Sequence, residues 1–88
     1  MTEYKPDWVS APGDTIADLM EEVQWTRRML ADRLGMSLRD TELLLAGDLP
    51  IDQTVAEALY KATGVEVGFW LRREAHYREG LARGLTRW

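Results

Sequence analysis

The sequence predicts an all-α domain of five helices behind an extended N-terminal arm. Apolar residues recur at spacings of three and four in successive stretches, the signature of helices with one buried face. These stretches are punctuated by Ser, Thr or Asp at their starts and glycine at their ends. No stretch alternates with the period of two that a half-buried strand requires.

Residues 1–13 form the expected arm, because they hold two of the three prolines and show no sustained periodicity. Tyr4, Trp8 and Val9 are its candidate anchors. The helical domain then occupies 14–88, with Asp14 or Thr15 capping a first helix whose Ile16, Leu19, Met20 and Val23 share one face. Gln24 and Trp25 form a link, and Thr26 caps a second helix with Met29, Leu30, Ala31 and Leu34 inward, ended by Gly35.

Ser37 caps the third helix, expected from Leu38 to Leu45 and closed by Gly47. Asp52 caps the fourth, with Val55, Ala56, Leu59 and Ala62 inward until Gly64, and Ile51 can fold back on its first turn as a hydrophobic staple. The fifth helix spans roughly Val67 to Arg83. The spacing of Trp70, Tyr77, Leu81, Leu85 and Trp88 gives it a stripe longer than four short helices can cover, and Gly68, Gly80 and Gly84 weaken it. The excess apolar surface predicts a homodimer interface at Trp70, Tyr77, Leu81, Leu85 and Trp88.

Charge and composition narrow the function classes. The 88 residues include no cysteine, which removes disulfides and thiolate metal sites and fits a reducing cytoplasm. The start has no apolar signal region, and no window approaches a membrane span, so a cytoplasmic protein without membrane contact is expected. The formal charge of −4 argues against an indiscriminate nucleic-acid binder. Its distribution is uneven, with Arg27, Arg28, Arg33 and Arg39 on the second and third helices and five arginines beyond residue 65. His76 is the only histidine and no catalytic pattern surrounds any nucleophile, so neither an enzyme nor a cofactor or metal site is expected.

From Thr26 to Gly47 the order is cap, short helix, glycine turn, cap, short helix, which is what a helix-turn-helix requires. The second of these helices can enter a major groove about 12 Å wide while the first lies across the backbone. The same order also describes two small helices packed for stability alone. On the DNA-binding reading, Arg27 and Arg28 clamp phosphates, and the amides behind Ser37 and Leu38 open the recognition helix. Arg39 can reach guanine, Thr41 a thymine methyl, and Glu42 can accept from cytosine N4.

The runs "PGDTIADLMEE", "WTRRMLADRLGMS", "AGDLPID" and "ALYKATGVEVGFWLRREAHYREGLAR" resemble the HigA-type antitoxins of the XRE helix-turn-helix family. Phe69, Trp70 and Leu71 form the most distinctive of the matching motifs. The resemblance implies a lambda-repressor-like fold, a homodimer on double-stranded operator DNA, repression of its own operon and neutralisation of an RNase-type toxin. DNA-facing positions of that family usually carry Arg, Lys or Asn, whereas here they read Leu38, Arg39, Asp40 and Glu42, then Ala46, Gly47 and Asp48. Carboxylates there repel phosphates, which makes a protein-interaction module without sequence-specific DNA binding the alternative.

Overall fold

Five helices follow one another in the computed structural model, which describes residues 8–87: α1 (Pro12–Val23), α2 (Arg27–Leu34), α3 (Leu38–Ala46), α4 (Gln53–Thr63) and α5 (Val67–Ala82). Two-residue strands, β1 (Trp8–Val9) and β2 (Thr86–Arg87), frame them and pair in parallel. The expectations for Tyr4, Trp88 and the side chain of Trp8 lie outside the described residues. The all-α prediction holds for the body of the domain. The expected absence of strands is corrected by the β1–β2 pair, since two residues are too few to produce an alternating pattern.

Caps and stops set most of the boundaries. Thr26 Oγ1 accepts from the Met29 amide at 3.1 Å, Ser37 Oγ from Asp40 at 3.0 Å, and Asp52 Oδ1 from Val55 at 2.9 Å, so three helix starts fall where the side chains predict. Gly35 terminates α2 at φ 68°, and the Met36 amide reaches back to the Ala31 carbonyl at 3.0 Å. The start of α1 is the exception. It begins at Pro12 rather than after Asp14 or Thr15, with Ala11 as a cap that makes no side-chain bond. Proline at the first helical position has no N–H to leave unpaired and a φ already suited to the helix. The arm therefore ends at Ala11.

The end of α1 also departs from glycine punctuation. Gln24 adopts φ 59°, while its own amide and that of Trp25 bond the Glu21 and Met20 carbonyls at 3.3 and 2.9 Å. This is the same carbonyl-satisfying turn that Gly35 makes, achieved with a residue that carries a Cβ.

Ile16 and Met20 of α1, Leu30 and Leu34 of α2, Leu44 of α3, Ala56 and Leu59 of α4, and Trp70 of α5 meet with Ile51 in the main core. The Trp70 indole N–H donates to the Val65 carbonyl at 3.1 Å, which removes the cost of burying that polar atom. Val23 and Met29, expected inward, are instead substantially exposed. Leu30, Ala31 and Leu34 already fill the buried arc of α2, and Val23 lies in the last turn of α1.

A second, smaller cluster joins Val9 and Ala11 of the arm to Tyr77, with Leu81 and Leu85 at its edge. Val9 rests on Gly80: a methyl group built on that glycine would stand 3.1 Å from the valine Cγ2. Arg73 completes the attachment. Its Nη1 donates to the Ser10 carbonyl at 2.9 Å, and its Nη2 to Ser10 Oγ, the Ala11 carbonyl and Thr15 Oγ1 at 3.0 to 3.2 Å. The C-terminal half of α5 thus has the covering surface that its length demands, and this chain's own arm supplies it. None of the described helices is long and apolar enough to cross a membrane.

Candidate nucleic-acid interface

The connection from α2 to α3 consists of Gly35, Met36 and Ser37, and it turns the chain so that α3 packs on both α1 and α2. Leu44 and Thr41 supply its fully buried side chains. Arg39, Asp40 and Glu42 are exposed on the opposite side, with Leu38 and Leu43 half-buried beside them. One face of α3 is therefore open to solvent along its first two turns.

Thr41 does not belong to that face. It is 0% exposed, and its hydroxyl donates to the Ser37 carbonyl at 2.9 Å inside the α3 turn. The thymine-methyl contact expected of it is corrected, because the side chain has no surface. Ser37 remains exposed with its hydroxyl engaged as the cap, and Leu38 offers only part of its side chain.

Arg27, Arg28 and Arg39 differ in their surroundings. Arg27 Nη1 lies 3.6 Å from Glu42 Oε2, both side chains well exposed, so α2 and α3 are joined by an ion pair that water screens to about 1 kcal/mol or less. Among the described residues Arg28 and Arg39 enter no ion pair, and both are exposed. Asp40 and Glu42 are exposed on either flank of Arg39, so that guanidinium is set between two carboxylates, with exposed Asp48 just beyond the helix end. Such a surface can hold a few phosphates while keeping two acceptors for base or peptide donors.

Of the arginines on α5 and at its end, Arg72 is exposed and the others have partners within the chain. Arg73 holds the arm, and Arg78 bonds Glu74 and the Gly47 carbonyl, while Arg83 lies 3.6 Å from Glu79. Arg33 stacks on Trp25, its guanidinium carbon 4.5 Å from the ring centroid. Counting arginines in the sequence therefore overstates the cations free to meet a polyanion.

Trp70 and Tyr77, expected at a dimer interface, are 0% and 2% exposed within the single chain. Neither has surface left for a second subunit, so their place in that interface is corrected. Leu81 and Leu85 are half-buried against the arm, and Trp88 lies outside the described residues. His76 is exposed on α5, and no group of three or more metal-ligating side chains occurs among the described residues.

Three structural roles escaped the sequence reading. Arg73 and Arg78 carry no motif, since the backbone carbonyls they hold, of Ser10, Ala11 and Gly47, lie 31 to 63 residues away and have no residue-type signal. Gly13 had a signal, because a glycine beside Pro12 at a helix start calls for a reason. That reason is contact: a methyl group there would lie 2.7 Å from the Leu45 carbonyl carbon and 2.9 Å from the Leu44 oxygen. No family model matches this chain, and no curated protein matches it either.

Proposed function

We propose that this chain is a DNA-binding transcriptional regulator of antitoxin type, an autorepressor that uses α3 as its recognition helix and also neutralises a partner toxin of RNase type. The observation that carries the reading is the bare outer face of α3, where Arg39 is exposed one turn from Glu42, which pairs with Arg27 of the first turn of α2; Arg28, the next residue there, is exposed too. Arg28 and the amides opening α3 contact phosphates in this arrangement, while Arg39 reaches a base edge and Glu42 accepts from cytosine. The homodimer that belongs to this reading uses surface other than Trp70 and Tyr77.

An electrophoretic shift assay with the DNA upstream of the protein's own gene tests it. Specific retardation that weakens steeply from 50 to 200 mM salt is expected. Absence of any shift at low salt sinks the regulator reading. A second reading is favoured by Asp40 and by the engagement of Arg27 with Glu42: a protein-interaction module that keeps the fold without sequence-specific DNA binding. Capture of a cationic partner protein with no DNA shift is its expected signature.

A further inference from the structure

The last turn of α3 contains no basic residue, and Asp48 follows directly. A helix C-terminus of this kind leaves carbonyl oxygens and the negative end of the dipole without a local cation. Arg78, thirty-one residues away on α5, meets that need: its Nη2 donates to the Gly47 carbonyl at 2.9 Å. The guanidinium cannot swing freely, because its Nε–H is held by the buried Glu74 carboxylate and its carbon lies 4.9 Å from the Tyr77 ring centroid. Across the same end of α3, the backbone of α1 closes in at Gly13, within contact of the Leu44 and Leu45 carbonyls.

We infer that Arg78, fixed by Glu74, is a positioning residue for the α3 face: it holds the C-terminal end of α3 and so sets the angle at which Arg39 and Glu42 are presented. Gly13 provides a flat seat for that end, and Arg78 draws the end down onto the body of the domain. The first half of α3 is held by its turn to α2, by the buried Thr41 and by the exposed Arg27–Glu42 pair, and the Arg78 grip adds a fixed point at the far end of the helix, which with these sets its orientation. The consequence for ligand recognition rests on the reading of α3 as a DNA-recognition helix. The grip itself does not.

The double variant Glu74→Gln/Arg78→Met removes the cation without stranding a buried carboxylate, a replacement that folded proteins commonly tolerate. Native-state hydrogen exchange is read at the amides of Gly47, Asp48 and Leu49, which bond the Leu43 and Leu44 carbonyls. These should exchange about tenfold faster or more than in the parent, with amides of α4 changed by no more than the global stability requires. Arg78→Lys, which keeps a donor but not the fork, should fall between them. Arg83→Met, which breaks only an exposed pair at the end of α5, should leave all three amides unchanged.

In the shift assay the double variant should lose about fivefold in preference for specific over random DNA, with the salt dependence unaltered, because no phosphate contact has been removed. Unchanged exchange at the three amides, or a rise spread evenly over every helix, overturns the inference. Faster local exchange with full DNA preference overturns its second half, that the grip sets the reading angle. If the parent protein shows no specific binding, the regulator reading fails, and exchange alone then decides whether Arg78 holds α3.

Discussion

Gly13→Ala isolates the most demanding contact in the domain. Alanine is the better helix former by about 1 kcal/mol, so helix propensity alone predicts stabilisation. The structure predicts the opposite. The added Cβ would fall 2.7 Å from the Leu45 carbonyl carbon, 2.9 Å from the Leu44 oxygen and closer still to the Leu45 oxygen. These are backbone atoms of α3 and cannot rotate aside, so α1 and α3 must separate. Overpacking of this kind costs typically 1–3 kcal/mol, and rigid neighbours place it near or above the upper end, for a net loss of about 2–3 kcal/mol. In a domain of this size that lowers the melting temperature by roughly 10–20 °C. Gly68→Ala is the matched control, since Gly68 occupies the same second position in α5 and its Cβ would meet only the mobile end of Arg72, at 3.0 Å. Urea unfolding followed by far-ultraviolet circular dichroism compares the two, and propensity cancels between them. Equal stability of the two variants, or a gain for Gly13→Ala, refutes the close approach of α1 to the end of α3.

Gln24→Gly should stabilise the domain by up to about 1 kcal/mol, because φ 59° is strained only for a residue with a Cβ; an unchanged urea midpoint argues against that strain. Thr41→Val should cost about 1 kcal/mol, through the lost bond to the Ser37 carbonyl, and leave base preference in the shift assay intact. A change of preference at a thymine position would return Thr41 to the reading face. Salt titration of any DNA complex should give a slope of about −2 per chain, as expected if roughly two cations meet phosphates; a slope of −5 or steeper would mean that arginines assigned to internal contacts are also engaged.

Legibility followed the range of the interaction. Thr26, Ser37, Asp52, Gly35, Gly47 and Gly64 act within four or five residues of the chain they punctuate, and each is where the residue types predict. Pro12 was legible in principle, since proline favours the first helical turn, but Asp14 and Thr15 offered capping chemistry that competed with it. Gln24 carried no signal, because nothing in its side chain favours the left-handed conformation in which it and Trp25 bond the Glu21 and Met20 carbonyls. At the candidate site, the helix-turn-helix reading placed Arg39, Asp40 and Glu42 outward. It could not separate Thr41 from them, since a threonine whose hydroxyl bonds its own helix is compatible with either side.

The stripe on α5 shows why excess apolar surface is a poor guide to oligomeric state in a chain of this length. Tyr77, Leu81 and Leu85 do need a covering surface, as the spacing implies. An arm without periodicity looks unable to provide one, because it offers few apolar residues and no regular face. Yet Val9 and Ala11 suffice once Gly80 lets Val9 sit directly on the helix and Arg73 takes up the carbonyls of Ser10 and Ala11. Without that guanidinium the Ala11 carbonyl would keep the Asp14 amide, at 3.0 Å, and the half-buried Ser10 would lose the bond to its carbonyl, a loss of about 0.5–1.5 kcal/mol for each bond removed. A cation that in sequence reads as a contribution to phosphate binding therefore has its effect inside the fold, converting an irregular segment into the missing wall of the core. Arg73→Met should accordingly release the arm before it unfolds the helices. Protease cleavage confined to residues 8–11, at a temperature where α1 to α4 stay protected, would display that order of events, and simultaneous loss of all five helices would contradict it.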